Sequence, residues 1–289
     1  MLILHDPQCA GYRGASFLPE KPERVIATEA HLRAARPGWT WRTPGIAPEE
    51  IILLAHSPEH LRRLDEPRDF DPDTPWFPGI SGHARRSVGA AVEAARHAVE
   101  TGRPAFSLMR PPGHHASADT AGGFCYLNQV AVAALAARRD LGTLKVAVWD
   151  FDAHHGNGTE AILGGRDGFL YCSVHQHPAF PGTGSSSSAS CLNWPVRPGR
   201  PRAQHMESLR ASWEAVLSFK PGLILISAGF DAYAKDPITD MTLEIEDFAE
   251  LGRWVGGSGV PTAAVLEGGY SDDLPQLIGA FLAAWAQLI

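Results

Sequence analysis

The sequence predicts an α/β protein built on a parallel sheet. Three observations carry that expectation. Short apolar runs alternate with longer helix-like stretches, the runs are apolar throughout, and each ends in a cluster of polar residues. Alternating strand and helix is the signature of βαβ units. Strands covered by helices on both faces read as unbroken apolar runs.

The expected strands are Ile51–Leu54, Ala105–Met109, Lys145–Trp149, Phe169–Val174, Leu223–Ser227 and Thr262–Leu266. Between them lie expected helices at Gly82–Glu100, Asn128–Arg139, Gln204–Phe219, Ile245–Val255 and Asp273–Gln287. Within the first, Ser87–Val99 is rich in Ala and keeps its apolar residues largely on one face, which favours helix. Gly182–Ser190 is the one low-complexity stretch, and it reads as a surface loop between ordered segments.

Composition bounds the function. The chain has 289 residues, with 25 Lys+Arg against 32 Asp+Glu and a net charge of −7. Its hydrophobic content of 44% excludes a wholly disordered chain. No linker or repeat divides it, so residues 1–289 are expected to form one domain. A pI near 6.0 and the lack of Lys/Arg runs argue against direct nucleic-acid binding. No apolar run approaches the roughly 18 residues of a membrane span. The N-terminus lacks the pattern of a signal peptide, and Cys9, Cys125, Cys172 and Cys191 form no C-x-x-C pair. A reduced, cytoplasmic protein is expected.

The polar residues at the strand ends are more informative. AFSLM leads to His114 and His115, and KVAVW to Asp150, Asp152, His154, His155 and Asn157. FLYC leads to Ser173 and His175, LILI to Asp231, and TAAVL to Glu267 and Tyr270. Ligands of open parallel sheets sit outside the carboxyl ends of the strands. Five strands therefore deliver polar groups to one rim.

Asp150, Asp152 and His154 are spaced i, i+2, i+4, which in an extended chain places them on one face. Carboxylate and imidazole together suit Zn²⁺ or a similar first-row ion. Asp231, at another strand end, can supply a third ligand beside Asp152 and His154. Asp150 is then free to orient a histidine. Three protein ligands leave an open position, the mark of a catalytic site.

These motifs together resemble the histone deacetylase superfamily, which includes bacterial acetylpolyamine amidohydrolases and acetoin-utilisation proteins. The resemblance rests on RPPGHHA (Arg110–Ala116), GGFCYLN (Gly122–Asn128), DFDAHHGNGT (Asp150–Thr159), SAGFDA (Ser227–Ala232) and EGGY (Glu267–Tyr270). Pro19–Arg24 is similar to the family's H-P-E-x-P-x-R segment without its His. The two-manganese motifs of arginase are absent. The resemblance implies the arginase/deacetylase fold, a single domain with about eight parallel strands flanked by helices.

It also implies roles. Asp152, His154 and Asp231 match zinc ligands, and His114 and His115 match tandem catalytic histidines. Tyr270 matches the tyrosine that polarises the scissile carbonyl. Asp150 and Asn157 match the partners of the two histidines, and Asn at 157 is similar to the class II branch. Gly123, Phe124 and Phe180 match the wall of a narrow lysine tunnel. Ile238 stands at the gatekeeper position, and Asp73 at a rim carboxylate that holds substrate backbone. Asp150, Asp152, His154 and Ser173 match a structural monovalent-cation site, K⁺ by implication.

The implied chemistry is amide hydrolysis. Zn²⁺ acts as Lewis acid toward carbonyl and water, His115 serves as general base then acid, and Tyr270 donates to the oxyanion. His114, held by Asp150, supplies charge and orientation. Apolar Ile238, with Lys235 nearby to repel a cation, leans toward acyl-lysine on a peptide or protein over an acetylated small amine such as a polyamine. The net charge suits cationic substrates of either kind. The Gly182–Ser190 loop is expected to border the entrance, and His175 and His177 to shape it.

Overall fold

The computed structural model describes residues 1–287. One eight-stranded sheet organises them, and every pairing is parallel. Its strands are β1 (Leu2–Leu4), β2 (Thr40–Arg42), β3 (Ala105–Ser107), β4 (Val146–Asp150), β5 (Phe169–Gln176), β6 (Cys191–Val196), β7 (Leu223–Ala228) and β8 (Thr262–Leu266). The spatial order is β2-β1-β3-β8-β7-β4-β5-β6. Strands β3, β8, β7, β4 and β5 are thus consecutive neighbours. Motifs spread from Arg110 to Tyr270 converge because of that order.

Nine helices flank the sheet among the described residues: α1 (Glu23–Ala35), α2 (Glu49–Ile52), α3 (Pro58–Arg63), α4 (Ile80–Thr101), α5 (Gln129–Asp140), α6 (Asn157–Leu163), α7 (Arg202–Ser218), α8 (Ile245–Gly256) and α9 (Leu274–Ala286). The five expected helices are all present, with ends shifted by at most two residues. Local chemistry sets several ends. Asn128 caps α5 by accepting from the Ala131 N–H at 2.9 Å. Gly102, at φ 68°, closes α4 in the left-handed conformation.

One expected strand is absent, and three real ones are unforeseen. Ile51–Leu54 is not a strand: Ile51 and Ile52 end α2, and Leu53 and Leu54 form a turn. A four-residue apolar run cannot separate strand from helix, and Pro48-Glu-Glu immediately before it is a helix start. The strands β1 and β2 are three residues each, too short to show a period. The third, β6, contains Pro195, which is tolerated because β6 is an edge strand.

The core pins the site. Phe151 and Phe230 alternate in sequence with the polar residues Asp150, Asp152 and Asp231. Both rings are buried in a cluster with Phe248 and Phe281, with centroids 5.2–6.4 Å apart. Burying each such side chain is worth about 1.5–3 kcal/mol. Sliding either loop would forfeit that burial, so the polar neighbours are held in register.

Candidate active site

The strand β4 stops at Asp150, and the chain then bends. The extended i, i+2, i+4 face expected of Asp150, Asp152 and His154 is therefore not formed. Side chains bend the backbone instead: Asp150 accepts from the Asp152 N–H at 3.2 Å, and Asp152 from the His154 N–H at 2.8 Å. These local bonds compete successfully with a strand ladder. Their result is a division of labour. Asp150 faces His114, while Asp152 and His154 face Asp231.

Asp152, His154 and Asp231 each place a ligand atom within 4.8 Å of the others. His154 Nδ1 lies 3.1 Å from Asp152 and 3.0 Å from Asp231. Both carboxylates are fully buried. Backbone crowds them closely: a Cβ on Gly229 would stand 2.1 Å from Asp152 Oδ2, and one on Gly268 2.2 Å from Asp231 Oδ2. Only glycine fits at those two positions. Burial opposes charge on His154, yet the bonds to Asp152 and Asp231 outweigh it and hold the ring well above its usual range. Burial raises Asp231, with the Asp152 charge adding to it. Such a pocket of paired buried anions fits a divalent cation, which would neutralise both carboxylates with the imidazole deprotonated.

The tandem histidines differ in environment. His114 Nδ1 donates to Asp150 at 3.0 Å, and the same oxygen accepts from the Tyr171 hydroxyl at 2.9 Å. Burial resists its protonation, but Asp152 and Asp150 together push it up to about 10. His115 Nδ1 donates to the Asn157 amide oxygen at 2.8 Å. Burial first, then the charges of His114 and His154, hold it well below its usual range. The two rings are therefore pushed in opposite directions, His114 toward its charged form and His115 toward its neutral one.

Tyr270 follows Gly269, whose φ is 117°. The turn is fixed through its backbone. The Gly268 N–H donates to Asp152 at 2.7 Å, Arg24 donates to the Gly269 carbonyl at 2.7 Å, and the Tyr270 N–H donates to Asp236 at 2.7 Å. The Arg24 guanidinium lies over the Tyr270 ring at 4.7 Å.

A cavity of about 270 Å³ opens onto these groups. Gly123, Phe124, Phe180, Ile238 and Asp73 all line it. The Phe180 ring lies edge-on to His115 at 5.0 Å, and Phe124 to Tyr270 at 5.8 Å. Ile238 and Asp73 are exposed toward the mouth.

Four expectations fail here. Lys235 does not line the cavity: its ammonium lies 5.7 Å from the Tyr233 ring centroid and 3.8 Å from Asp273. No residue of Gly182–Ser190 lines it either. That loop packs on β6 through Asn193, whose backbone N–H donates to the Ser187 hydroxyl and whose amide donates to the Ser186 carbonyl, each at 2.9 Å. His175 is buried in β5, bonded to Ser173 and the Gly184 carbonyl, and so does not shape the entrance. His177 is absent from the lining as well. Ser173 does stand beside Asp150 across β4 and β5, but its hydroxyl is bonded to His175 at 2.8 Å. Cys125 lines the cavity, and burial keeps its thiol protonated.

Sequence reasoning missed the supporting layer. Glu267 is fully buried and accepts from the Gly113 N–H at 2.6 Å and the His114 N–H at 3.2 Å. Burial pushes it up to about 7. Glu20 binds both Arg110 and Arg24, at 2.5 Å and 3.2 Å. These residues stand inside the quoted motifs, but no spacing links positions 20, 24, 110 and 267.

Comparison with known proteins agrees with this geometry. Residues 18–285 match the histone deacetylase domain, and the chain belongs to that family. It is 37% identical over 273 residues to the acetylpolyamine amidohydrolase of Mycoplana ramosa, covering 91% of this chain and 72% of that one. It is 38% identical over 269 residues to the histone deacetylase-like amidohydrolase of Pseudomonas aeruginosa, covering 86% and 68%. The crystal structure of the acetylpolyamine aminohydrolase of Burkholderia pseudomallei superposes with a TM-score of 0.89 at 28% identity, covering 100% of this chain and 99% of that one. The fold is the deacetylase fold, and the protein is an amide-bond hydrolase of the deacetylase class.

Proposed function

We propose that this chain removes the acetyl group from a mono-acetylated small amine, with an acetylated polyamine as its substrate class. The observation that carries the reading is the charge at the mouth. Among the described residues, Asp73 is the one acidic side chain lining the cavity, and Lys235 does not line it but lies 3.8 Å from Asp273. A carboxylate there attracts the free ammonium of a substrate whose acetamide lies deep inside. Relatives named as acetylpolyamine amidohydrolases support the reading. Apolar Ile238 at the mouth favours a second reading, acyl-lysine on a peptide or protein.

Asp152, His154 and Asp231 would hold one divalent ion, Zn²⁺ by ligand type, which supplies Lewis acidity toward the amide and the attacking water. His115 takes the proton of that water at Nε2, its Nδ1 being engaged with Asn157. It returns the proton to the amine as the C–N bond breaks, so acetate and the free amine leave. His114, held by the Asp150 carboxylate at Nδ1, supplies charge and orientation beside the amide. Tyr270 donates its hydroxyl hydrogen to the amide oxygen as charge develops there. Phe124 and Phe180 flank the alkyl stem, whose methylenes contribute ~0.8 kcal/mol each on burial. A structural K⁺ at Asp150, Asp152, His154 and Ser173 belongs to the same proposal.

The test is acetate release from N-acetylputrescine, N8-acetylspermidine and an acetyl-lysine peptide. The acetylated polyamines should give the higher kcat/KM, and Asp73→Asn should remove their advantage. A clear preference for the peptide would favour the Ile238 reading instead.

A further inference from the structure

One buried carboxylate beside the cavity has no part in the proposed chemistry. Asp236 is 6% exposed and stands five residues beyond Asp231, in the segment joining β7 to α8. One of its oxygens accepts from the Ile238 N–H at 3.1 Å, and the other from the Tyr270 N–H at 2.7 Å. A single side chain therefore holds a residue of the cavity mouth and the tyrosine at its depth.

The segment has little freedom of its own. Its neck is closed by the Ala234 N–H to the Leu243 carbonyl at 2.8 Å and the Leu243 N–H to the Ala232 carbonyl at 3.0 Å. The Thr239 hydroxyl binds the Asp231 carbonyl at 2.5 Å. Asp236 fastens this closed loop to the turn that presents Tyr270. We propose that Asp236 is a positioning residue that sets the Tyr270 hydroxyl over the scissile amide and fixes Ile238 at the mouth.

Asparagine at this position has nearly the same shape but only one accepting oxygen. Either the Ile238 or the Tyr270 N–H then faces an NH₂ group. Glutamate keeps both accepting oxygens and adds one methylene.

This proposal rests on Tyr270 acting as the oxyanion donor, and the test separates the two ideas. Asp236→Asn, Tyr270→Phe and the double variant are compared as zinc-reconstituted full chains, with bound metal and melting temperature measured for each. Asp236→Asn should lower kcat by about tenfold to a hundredfold, the scale of a displaced reacting group. Metal content should stay unchanged, and Asp236→Glu should recover part of the rate. In the Tyr270→Phe background the same substitution should change kcat by less than about threefold, because coupled residues are non-additive.

An equal loss in both backgrounds, or a loss that tracks metal content, overturns the proposal. Full activity of Tyr270→Phe overturns instead the oxyanion role beneath it. If no acetamide is turned over, crystal structures of wild type and Asp236→Asn decide. An unmoved Tyr270 and Ile238 would overturn the proposal.

Discussion

His115 donates from Nδ1 to the amide oxygen of Asn157 across 2.8 Å. The uncharged amide fixes the tautomer of that ring and favours its charged form only weakly, so burial still holds His115 below its usual range. Its neighbour His114 has a carboxylate, Asp150, in the corresponding place. The two adjacent imidazoles thus differ in partner, a carboxylate for His114 and a neutral amide for His115, in addition to their burial and the other charges around them.

The Asn157→Asp variant tests this division. A carboxylate beside Nδ1 stabilises the imidazolium, so it raises the His115 pKa. The base form then requires higher pH. The acid limb of the kcat/KM profile should move upward by about one pH unit. An unmoved limb would show that His115 is not the titrating base.

Tyr270→Phe removes one hydroxyl from a side chain that is 8% exposed. Its kcat should fall by about 10²–10³, as for other oxyanion donors, with KM little changed. Melting temperature should stay close to wild type because the backbone anchors of the turn remain. A rate within threefold of wild type would contradict the assignment.

Asp73 is exposed, so its attraction for a cation is modest and screened by salt. Asp73→Asn should raise KM for acetylated polyamines by roughly two- to fivefold at low ionic strength. The difference should shrink as salt is added. Equal KM values at low salt would remove Asp73 from substrate binding.

His205, buried on α7 with Nδ1 unpartnered among the described residues, is one of several buried histidines that make stability sensitive to acid. Burial, with Arg200 adding to it, lowers its pKa to about 4 from an ordinary 6.5. Between those values the unfolded chain binds more protons than the folded one. Stability is therefore full above pH 6.5 and falls as pH drops toward 4, by about 3 kcal/mol from this residue. Denaturant midpoints at pH 7 and pH 5 should converge in His205→Leu relative to wild type. An unchanged gap would contradict this assignment.

The site was largely legible because its chemistry sits at strand ends. Continuous apolar runs located β3, β4, β5, β7 and β8, and the polar residues after them could only meet at one rim. The supporting groups were illegible for a physical reason. Glu267, Asp236 and Arg24 act on backbone N–H and carbonyl groups, which every residue has, so no sequence pattern marks their targets. Lys235 misled because proximity in sequence does not give direction. Its stem turns toward Tyr233 and Asp273, and the mouth is left with Asp73. The strands β1 and β2 stayed hidden because three residues cannot show a period.

All of the proposed chemistry depends on Asp152, His154 and Asp231 holding one divalent ion that amide cleavage requires. The most direct measurement titrates the chelator-treated protein with Zn²⁺ while following acetate release from N-acetylputrescine. Activity should be absent without metal, rise with added Zn²⁺ and level off at one ion per chain, and Asp231→Ala should abolish the response. Full acetate release from the metal-free protein would contradict the proposed mechanism.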